Sequence, residues 1–504
     1  MNCCESLDRN ASQFPRKVAI IENEREITWQ ELRELVSGFA GYLADQDVNV
    51  GDRVAVLAQN SSQWLTAYYA ALWLGAIAVP INTRWTPEEI LFALEDSAVK
   101  HLCVDEAMFG VVGSKIRDYT ESGVVTQINP YNNFCEKIRG SKAVSRHHVE
   151  ESSTASIFYT GGTTGKSKGV MLSHHNHMVH SLLMVVDAAI SKGVKFLHVA
   201  PMFHIADALF IHIVTLLAGV HVIVPGFDPK IASSAIRQYR IDETILVPTM
   251  IQVMMSDSNA REAFSQLKRL YYGASPISAV LLESIISRYP HLELIQLYGQ
   301  TETSPVLTML PPDYHSEEGV KNGKAKSAGR ALLGTEISIF DENDKLVDQG
   351  GHGEIVARGP QVFSGYWNRE EETKSALRNG WIHTGDAGYL DENGFVYVTD
   401  RIKDMIITGG ENVYSVEVEQ VIYQLSAVEQ CCVIGMPDEK WGEIVHAVIV
   451  PKKGEVLSAK EVEEHCKEKL ANFKRPRLVT LRHEPIPISG AGKFLKRKLR
   501  LEYL

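Results

Sequence analysis

Thr160-Gly-Gly-Thr-Thr-Gly-Lys-Ser-Lys-Gly169 is the stretch on which the fold turns. Its Gly165-Lys166-Ser167 has the ending of a Walker loop, but that pattern needs a glycine five positions before Gly165, where Thr160 stands. A Walker loop also runs straight into a helix whose N-terminus completes the anion site. Here Lys168 to Leu172 reads as a strand, and Ser173 is the first residue suited to cap a helix. A loop that passes into a strand, not a helix, is therefore expected. The loop still suits an anion: Gly161, Gly162 and Gly165 let backbone amides approach, Thr160, Thr163 and Thr164 offer hydroxyls, and Lys166 and Lys168 supply charge.

Outward from this loop, short apolar strands alternate with amphipathic helices. The uncharged span Ser61 to Thr83 is long enough to cross a bilayer. Gly75 and Pro80 divide it, however, into a helix and a strand preceded by Arg53-Val-Ala-Val-Leu-Ala58, which predicts a buried βαβ unit. Strands are expected again within 194–200, 220–225, 243–249 and 292–299, with ligands at the loops after their carboxyl ends. The fold class is α/β: a large N-terminal domain over 1–400, with a small β-rich subdomain at about 334–400, and a small α+β C-terminal domain over 401–504.

The 504 residues are 45% hydrophobic and 22% charged, which excludes a disordered chain, and a formal charge of -11 argues against a nucleic-acid partner. Seven scattered cysteines without a Cys-x-x-Cys spacing, and no basic-then-apolar leader at the N-terminus, place the chain in a reducing cytoplasm. No transmembrane span is expected; peripheral membrane contact and a monomer or homodimer are left open.

Tyr159 to Val170 resembles the phosphate-binding signature of the adenylate-forming superfamily, which includes acyl-CoA synthetases, adenylation domains and luciferases. Pro201-Met-Phe-His204, Gly273-Ala-Ser-Pro276, Tyr298-Gly-Gln-Thr-Glu302, Thr384-Gly-Asp386, Asp400 to Val413 and Gly492-Lys493 follow in the superfamily's order, so the resemblance spans nearly the whole chain. Gly161 and Ser167 stand where the superfamily often has Ser and Pro, and Ser489-Gly490 replaces an Asn-rich lead-in to Lys493.

The resemblance implies ATP, Mg²⁺ and coenzyme A as cofactors and a small carboxylic acid as substrate. Tyr298 and Gly299, with Gly273, Ala274 and Ser275, are expected to form the adenine slot, where a flat ring and a close backbone suit a base. Glu302 and Thr163 are expected to hold Mg²⁺, and Thr301 to reach the phosphates. Asp386 is expected on the ribose hydroxyls with Arg401 beside it, and His204 at the acyl carboxylate. The resemblance makes Lys493 the cation that meets developing charge as acid and ATP join. It makes Lys403 the hinge on which the C-terminal domain turns, and Gly409, Gly410 and Glu411 the wall of a pantetheine channel. Lys493, Glu302, Thr163 and His204 form the expected catalytic set.

The leading expectation is an AMP-forming acyl-CoA ligase for a medium- or long-chain fatty acid, with the apolar stretch 204–227 as tunnel wall. The alternatives are an aryl-acid CoA ligase of succinylbenzoate or cinnamate type, and an adenylating enzyme for a carrier protein. A nucleotide-binding scaffold without turnover is the reading from a different class. The histidines 174, 175, 177 and 180 lack acidic or cysteine partners and are expected as a polar lid over the nucleotide cleft, not a metal site.

Overall fold

The computed structural model describes residues 1–120, 124–128, 131–160, 167–488 and 494–504. Strand Thr154–Thr160 pairs antiparallel with strand Lys168–Ser173, Thr160 opposite Lys168, so the glycine-rich loop joins two strands. Helix His174–Asp187 begins only after the second strand. Its cap is Ser173, whose hydroxyl accepts from Asn176 N while the Asn176 side chain returns to Ser173 N. The Walker arrangement is thereby excluded.

This hairpin belongs to a seven-stranded sheet ordered Gly365–Tyr366, Lys168–Ser173, Thr154–Thr160, Ile77–Pro80, Arg53–Leu57, His101–Val104 and Val124–Gln127. Arg53–Leu57 and Ile77–Pro80 run parallel, connected by helix Ser62–Leu74 that ends at the cap Gly75. Every residue from Ser62 to Trp73 is buried, which is why this helix is apolar on all sides. No helix among the described residues is long and apolar enough to cross a membrane.

A nine-stranded sheet carries the other half of the N-terminal body. Its centre is the parallel set Val220–Ile223, Lys195–His198, Glu243–Leu246, Arg269–Gly273 and Glu293–Tyr298. Helices Trp29–Asp45, Ser62–Leu74 and Ile205–Leu216 contribute Trp29, Phe39, Trp64, Tyr68, Tyr69 and Ile211 to one core cluster, which also takes Phe158 and Leu172 from the seven-stranded sheet. At about 25 cal/mol per Å² of apolar surface, aromatic side chains of this size dominate the burial energy.

Strands Glu336–Phe340, Gly353–Arg358, Trp381–Leu390, Leu377–Arg378 and Val396–Arg401 form an antiparallel five-stranded sheet. Past Lys403, strands Ile406–Thr408, Glu411–Val413, Val428–Asp438, Gly442–Pro451 and Leu478–Leu481 make a second five-stranded sheet with helices Ser415–Ile422 and Ala459–Lys469 packed on its core. All seven cysteines are free and all but Cys135 are buried.

Candidate active site

Three parallel strands end at the same edge, and each delivers part of the site. After Lys195–His198 comes the turn to His204; after Arg269–Gly273 come Ala274 and Ser275; after Glu293–Tyr298 come Gly299 and the short helical turn Thr301–Thr303. This is where open α/β sheets place ligands. Gly273 lies opposite Leu297 in the parallel register, and a Cβ there would fall 2.2 Å from the Leu297 carbonyl oxygen. Only glycine lets these two strand ends approach so closely.

Tyr298, Asp386 and Arg401 meet. The Tyr298 hydroxyl donates to Asp386 Oδ2 at 2.9 Å, and Arg401 Nε lies 2.7 Å from Asp386 Oδ1. The pairing of Trp381–Leu390 with Val396–Arg401 sets Asp386 directly opposite Arg401, so strand register fixes the ion pair. Thr384 orients it further: its hydroxyl accepts from Asp386 N at 3.1 Å, and its carbonyl accepts from Arg401 Nη1 at 3.3 Å. Asp386 is 5% exposed. Burial, then the Asp386 carboxylate, pushes the Tyr298 phenol far above its ordinary pKa, so it remains a donor. Burial opposes the Arg401 charge, but Asp386 and Glu302 outweigh it and the guanidinium pKa is raised.

Glu302 is the second carboxylate. Its Oε1 accepts from the Tyr366 hydroxyl at 2.7 Å, and Lys168 Nζ stands 5.1 Å from the centre of the Tyr366 ring. Burial first, then the Glu302 charge, raises the Tyr366 phenol pKa. The segment holding Tyr366 is itself tied at both sides: Phe363 N donates to the Glu302 carbonyl, and Trp367 N to the Gly169 carbonyl. Tyr366 thus links the expected metal carboxylate to the strand that leaves the phosphate loop. Sequence reasoning missed it, along with Thr384's orienting role; the bare Gly-Tyr dipeptide carries no signal until its strand is seen paired with Lys168–Ser173.

The donor set suits a hard cation, since a carboxylate with one oxygen held and the other available takes Mg²⁺ well. No group of three or more His, Cys, Asp or Glu able to hold a metal occurs among the described residues. A Mg²⁺ bound by Glu302 would therefore draw most of its oxygens from phosphate and water.

The remaining expected residues fall as follows. Thr160 and Lys168 flank the loop as a cross-strand pair. Gly161, Gly162, Thr163, Thr164, Gly165, Lys166 and Lys493 lie outside the described residues. His204 precedes helix Ile205–Leu216 at its cap position, its ring 5.2 Å from that of Phe203. Asn60 holds the turn before it, donating to the Ala200 carbonyl and accepting from Met202 N, both at 2.8 Å. Lys403 follows Arg401; partial burial first, then the Arg401 charge, lowers its ammonium pKa. Gly409 and Gly410 form a two-residue hairpin turn, with φ of 60° and 85°, between Thr408 and Glu411. All of Gly409, Gly410 and Glu411 are exposed, and Gly409 packs on Trp441 instead of meeting Tyr298 or Asp386.

Two expectations are overturned. Of the four histidines, His175 stays at the surface beside Glu151, but His174, His177 and His180 are buried in the core, not on a lid: His174 Nδ1 accepts from Cys3 N, His177 Nε2 is bonded to Ser156 Oγ at 2.7 Å, and His180 Nε2 to Val306. The stretch after His204 is also core. Ile205, Ala208 and Ile211 pack in one cluster and Leu209, Phe210, Ile213 and Val214 in another, which removes the case for a tunnel wall.

The AMP-binding enzyme family model matches residues 7–367, and the AMP-binding enzyme C-terminal domain model matches residues 417–493. A 2-succinylbenzoate–CoA ligase of Bacillus cereus (strain Q1) is 34% identical over 499 residues, covering 98% of this chain and 97% of its own. Among solved structures, the o-succinylbenzoate CoA synthetase of Bacillus subtilis bound to its acyl-adenylate shares 30% identity at a TM-score of 0.88, covering 98% of this chain and 97% of that one. ATP-bound MatB from Rhodopseudomonas palustris shares 29% at 0.90, covering 100% and 99%. With the ion pair, the paired tyrosines and both family domains in place, this chain belongs to the AMP-binding enzymes.

Proposed function

We propose that this protein is an ATP-dependent, AMP-forming acid–CoA ligase acting on an aryl acid of the 2-succinylbenzoate kind. The observation that carries it is the Tyr298–Asp386–Arg401 cluster at the carboxyl ends of the parallel strands, with Glu302 beside it. The aryl reading replaces the fatty-acid one because the curated relatives are 2-succinylbenzoate–CoA ligases and the apolar stretch after His204 is core.

A carboxylate is a poor electrophile, so its oxygen first attacks the α-phosphorus of ATP and pyrophosphate leaves. The thiol of CoA then attacks the acyl carbon of the mixed anhydride, and AMP leaves with the bonding pair. Asp386, aligned by Tyr298 and Arg401, accepts hydrogen bonds from the ribose hydroxyls. Glu302 would hold Mg²⁺, which when bound would offset phosphate charge. Lys168 adds charge beside the phosphate loop, His204 borders the acid, and Lys493 supports the charge that develops in the first step.

The present orientation of the two bodies fits acyl-adenylate formation. A score of 0.90 against an ATP-bound structure over the whole chain supports this reading, because residues 1–400 are only about four-fifths of the chain. The exposed Gly409–Gly410 turn agrees, since thiol transfer needs that turn at the site. AMP release with CoA, measured across 2-succinylbenzoate, benzoate, malonate and a long-chain fatty acid, tests the assignment. Fastest turnover is expected with an aryl acid; fastest turnover with the fatty acid contradicts it.

A further inference from the structure

A buried chain of polar groups crosses from one body to the other, outside the site described above. Asp400 ends the N-terminal side, three residues before Lys403, and is 4% exposed. Its Oδ2 accepts from both Ser415 N, at 2.5 Å, and Ser415 Oγ, at 2.6 Å. Ser415 is fully buried and opens helix Ser415–Ile422 in the C-terminal body. The Ser415 hydroxyl in turn accepts from Lys496 Nζ, which pairs with Glu419 Oε1 at 2.8 Å. Lys496 opens helix Lys496–Glu502 and follows Lys493 by three residues.

Proton donors and acceptors run in one direction here, from Lys496 through Ser415 to Asp400. Lys496 pairs directly with Glu419, and Asp400 Oδ1 accepts from Arg401 N at 2.8 Å, so Asp400 Oδ2 depends on the Ser415 donors and on the amino end of the helix for its solvation. Turning the C-terminal body about Lys403 separates Asp400 from Ser415 while Lys496 and Glu419 travel together. Asp400 Oδ2 then loses both of its donors at once, while Oδ1 keeps Arg401 N. Elsewhere between the bodies, the bonds from Gln420 Nε2 to the Ile277 carbonyl and from Gln252 Nε2 to the Glu429 carbonyl are neutral and 3.4 and 3.2 Å long, and the Tyr414 ring stacks on His352.

We propose that Asp400, Ser415 and Lys496 form an interdomain latch that holds the C-terminal body in the orientation for acyl-adenylate formation and opens for thiol transfer. The proposal rests on the ligase reading above. Asp400 and Ser415 touch no reacting atom; they position the body that carries Lys493.

Ser415→Ala and Asp400→Asn in the full chain test it, with two readouts. The first compares acid-dependent pyrophosphate exchange with thioester formation from supplied acyl-AMP. Weakening the latch is expected to raise the ratio of thioester formation to exchange by about 10-fold, the scale set by losing one charge-assisted hydrogen bond. The second measures the distance between spin labels at Val253→Cys and Val456→Cys, both exposed and one on each body, in a Cys135→Ser background. One distance population is expected in the parent and a second in each variant. Both half-reactions falling together, a ratio within about twofold of the parent, or unchanged distances would overturn the latch. If the parent shows no acid-dependent exchange, the ligase reading fails, and the distances alone decide the latch.

Discussion

Two polar clusters sit in the N-terminal body, one sealed and one open. In the sealed cluster Asp207 Oδ1 is bonded to His198 Nδ1 at 2.6 Å, His198 Nε2 to His221 Nδ1 at 3.0 Å, and His221 Nε2 to Thr215 Oγ1 at 3.1 Å. Tyr69 closes the chain on Thr215, and the His198 and Asp207 side chains are 0% exposed. In the open cluster, Arg401 keeps 32% of its side chain exposed while holding Asp386, and Glu302 has one oxygen held by Tyr366. Both are rich in titratable groups. What separates them is access: the sealed cluster is closed to solvent, even Asp207 Oδ2 lying buried without a partner, and the open one keeps exposed donors and acceptors for a ligand.

That contrast sets the largest expected effect. Asp386→Asn keeps the volume and removes the charge, and should lower acid-dependent pyrophosphate exchange by about 100-fold, the scale of a lost hydrogen bond to a charged group in the transition state. Asp207→Asn should do the reverse, lowering stability by roughly 1–3 kcal/mol in denaturant melts while leaving exchange per folded molecule within about threefold. A matched loss of exchange in both variants would erase the distinction.

Acid should break the sealed region before the open one. Burial lowers the pKa of His180 and His212 to about 3, and of His174 to about 4, with His177 and His221 also well below their ordinary range. The folded state holds these rings neutral. Their contribution is fully present above the unfolded value of 6.5 and is lost as pH falls from there towards the folded values. Each such ring can add a slope of up to about 1.4 kcal/mol per pH unit. Thermal midpoints should therefore drop between about pH 6.5 and 5, before ordinary carboxylates titrate; a flat profile over that window would contradict neutral buried imidazoles. The smallest effect belongs to surface pairs: Arg358 and Glu336 are more than half exposed, and Glu336→Gln, which leaves Arg358 over the Trp381 ring, should leave the thermal midpoint almost unchanged.

The strand after the glycine-rich stretch, the capped helix that follows and the βαβ unit were legible because each rests on local chemistry: the pattern Lys168 to Leu172, a hydroxyl at Ser173, a break at Gly75. The histidine cluster was not, because helix His174–Asp187 is inverted. Its histidines at 174, 177 and 180 face inward, while Leu182 and Val186 are 37% and 61% exposed. Spacing shows that these rings share a face, but only the partners Ser156 and Val306, distant in sequence, decide which face is inside. Tyr366 was missed for the same reason, since its role comes from strand pairing and a hydrogen bond to Glu302 across 64 positions. The apolar run after His204 has the composition of a wall or of core alike, and only its packing into two clusters places it in the core.

Pyrophosphate exchange into ATP, measured with and without 2-succinylbenzoate in the parent protein and in Asp386→Asn, tests the central claim most directly. Exchange that requires the acid and falls about 100-fold in the variant is the predicted result. ATP turnover without any acid, or exchange indifferent to Asp386, would contradict it.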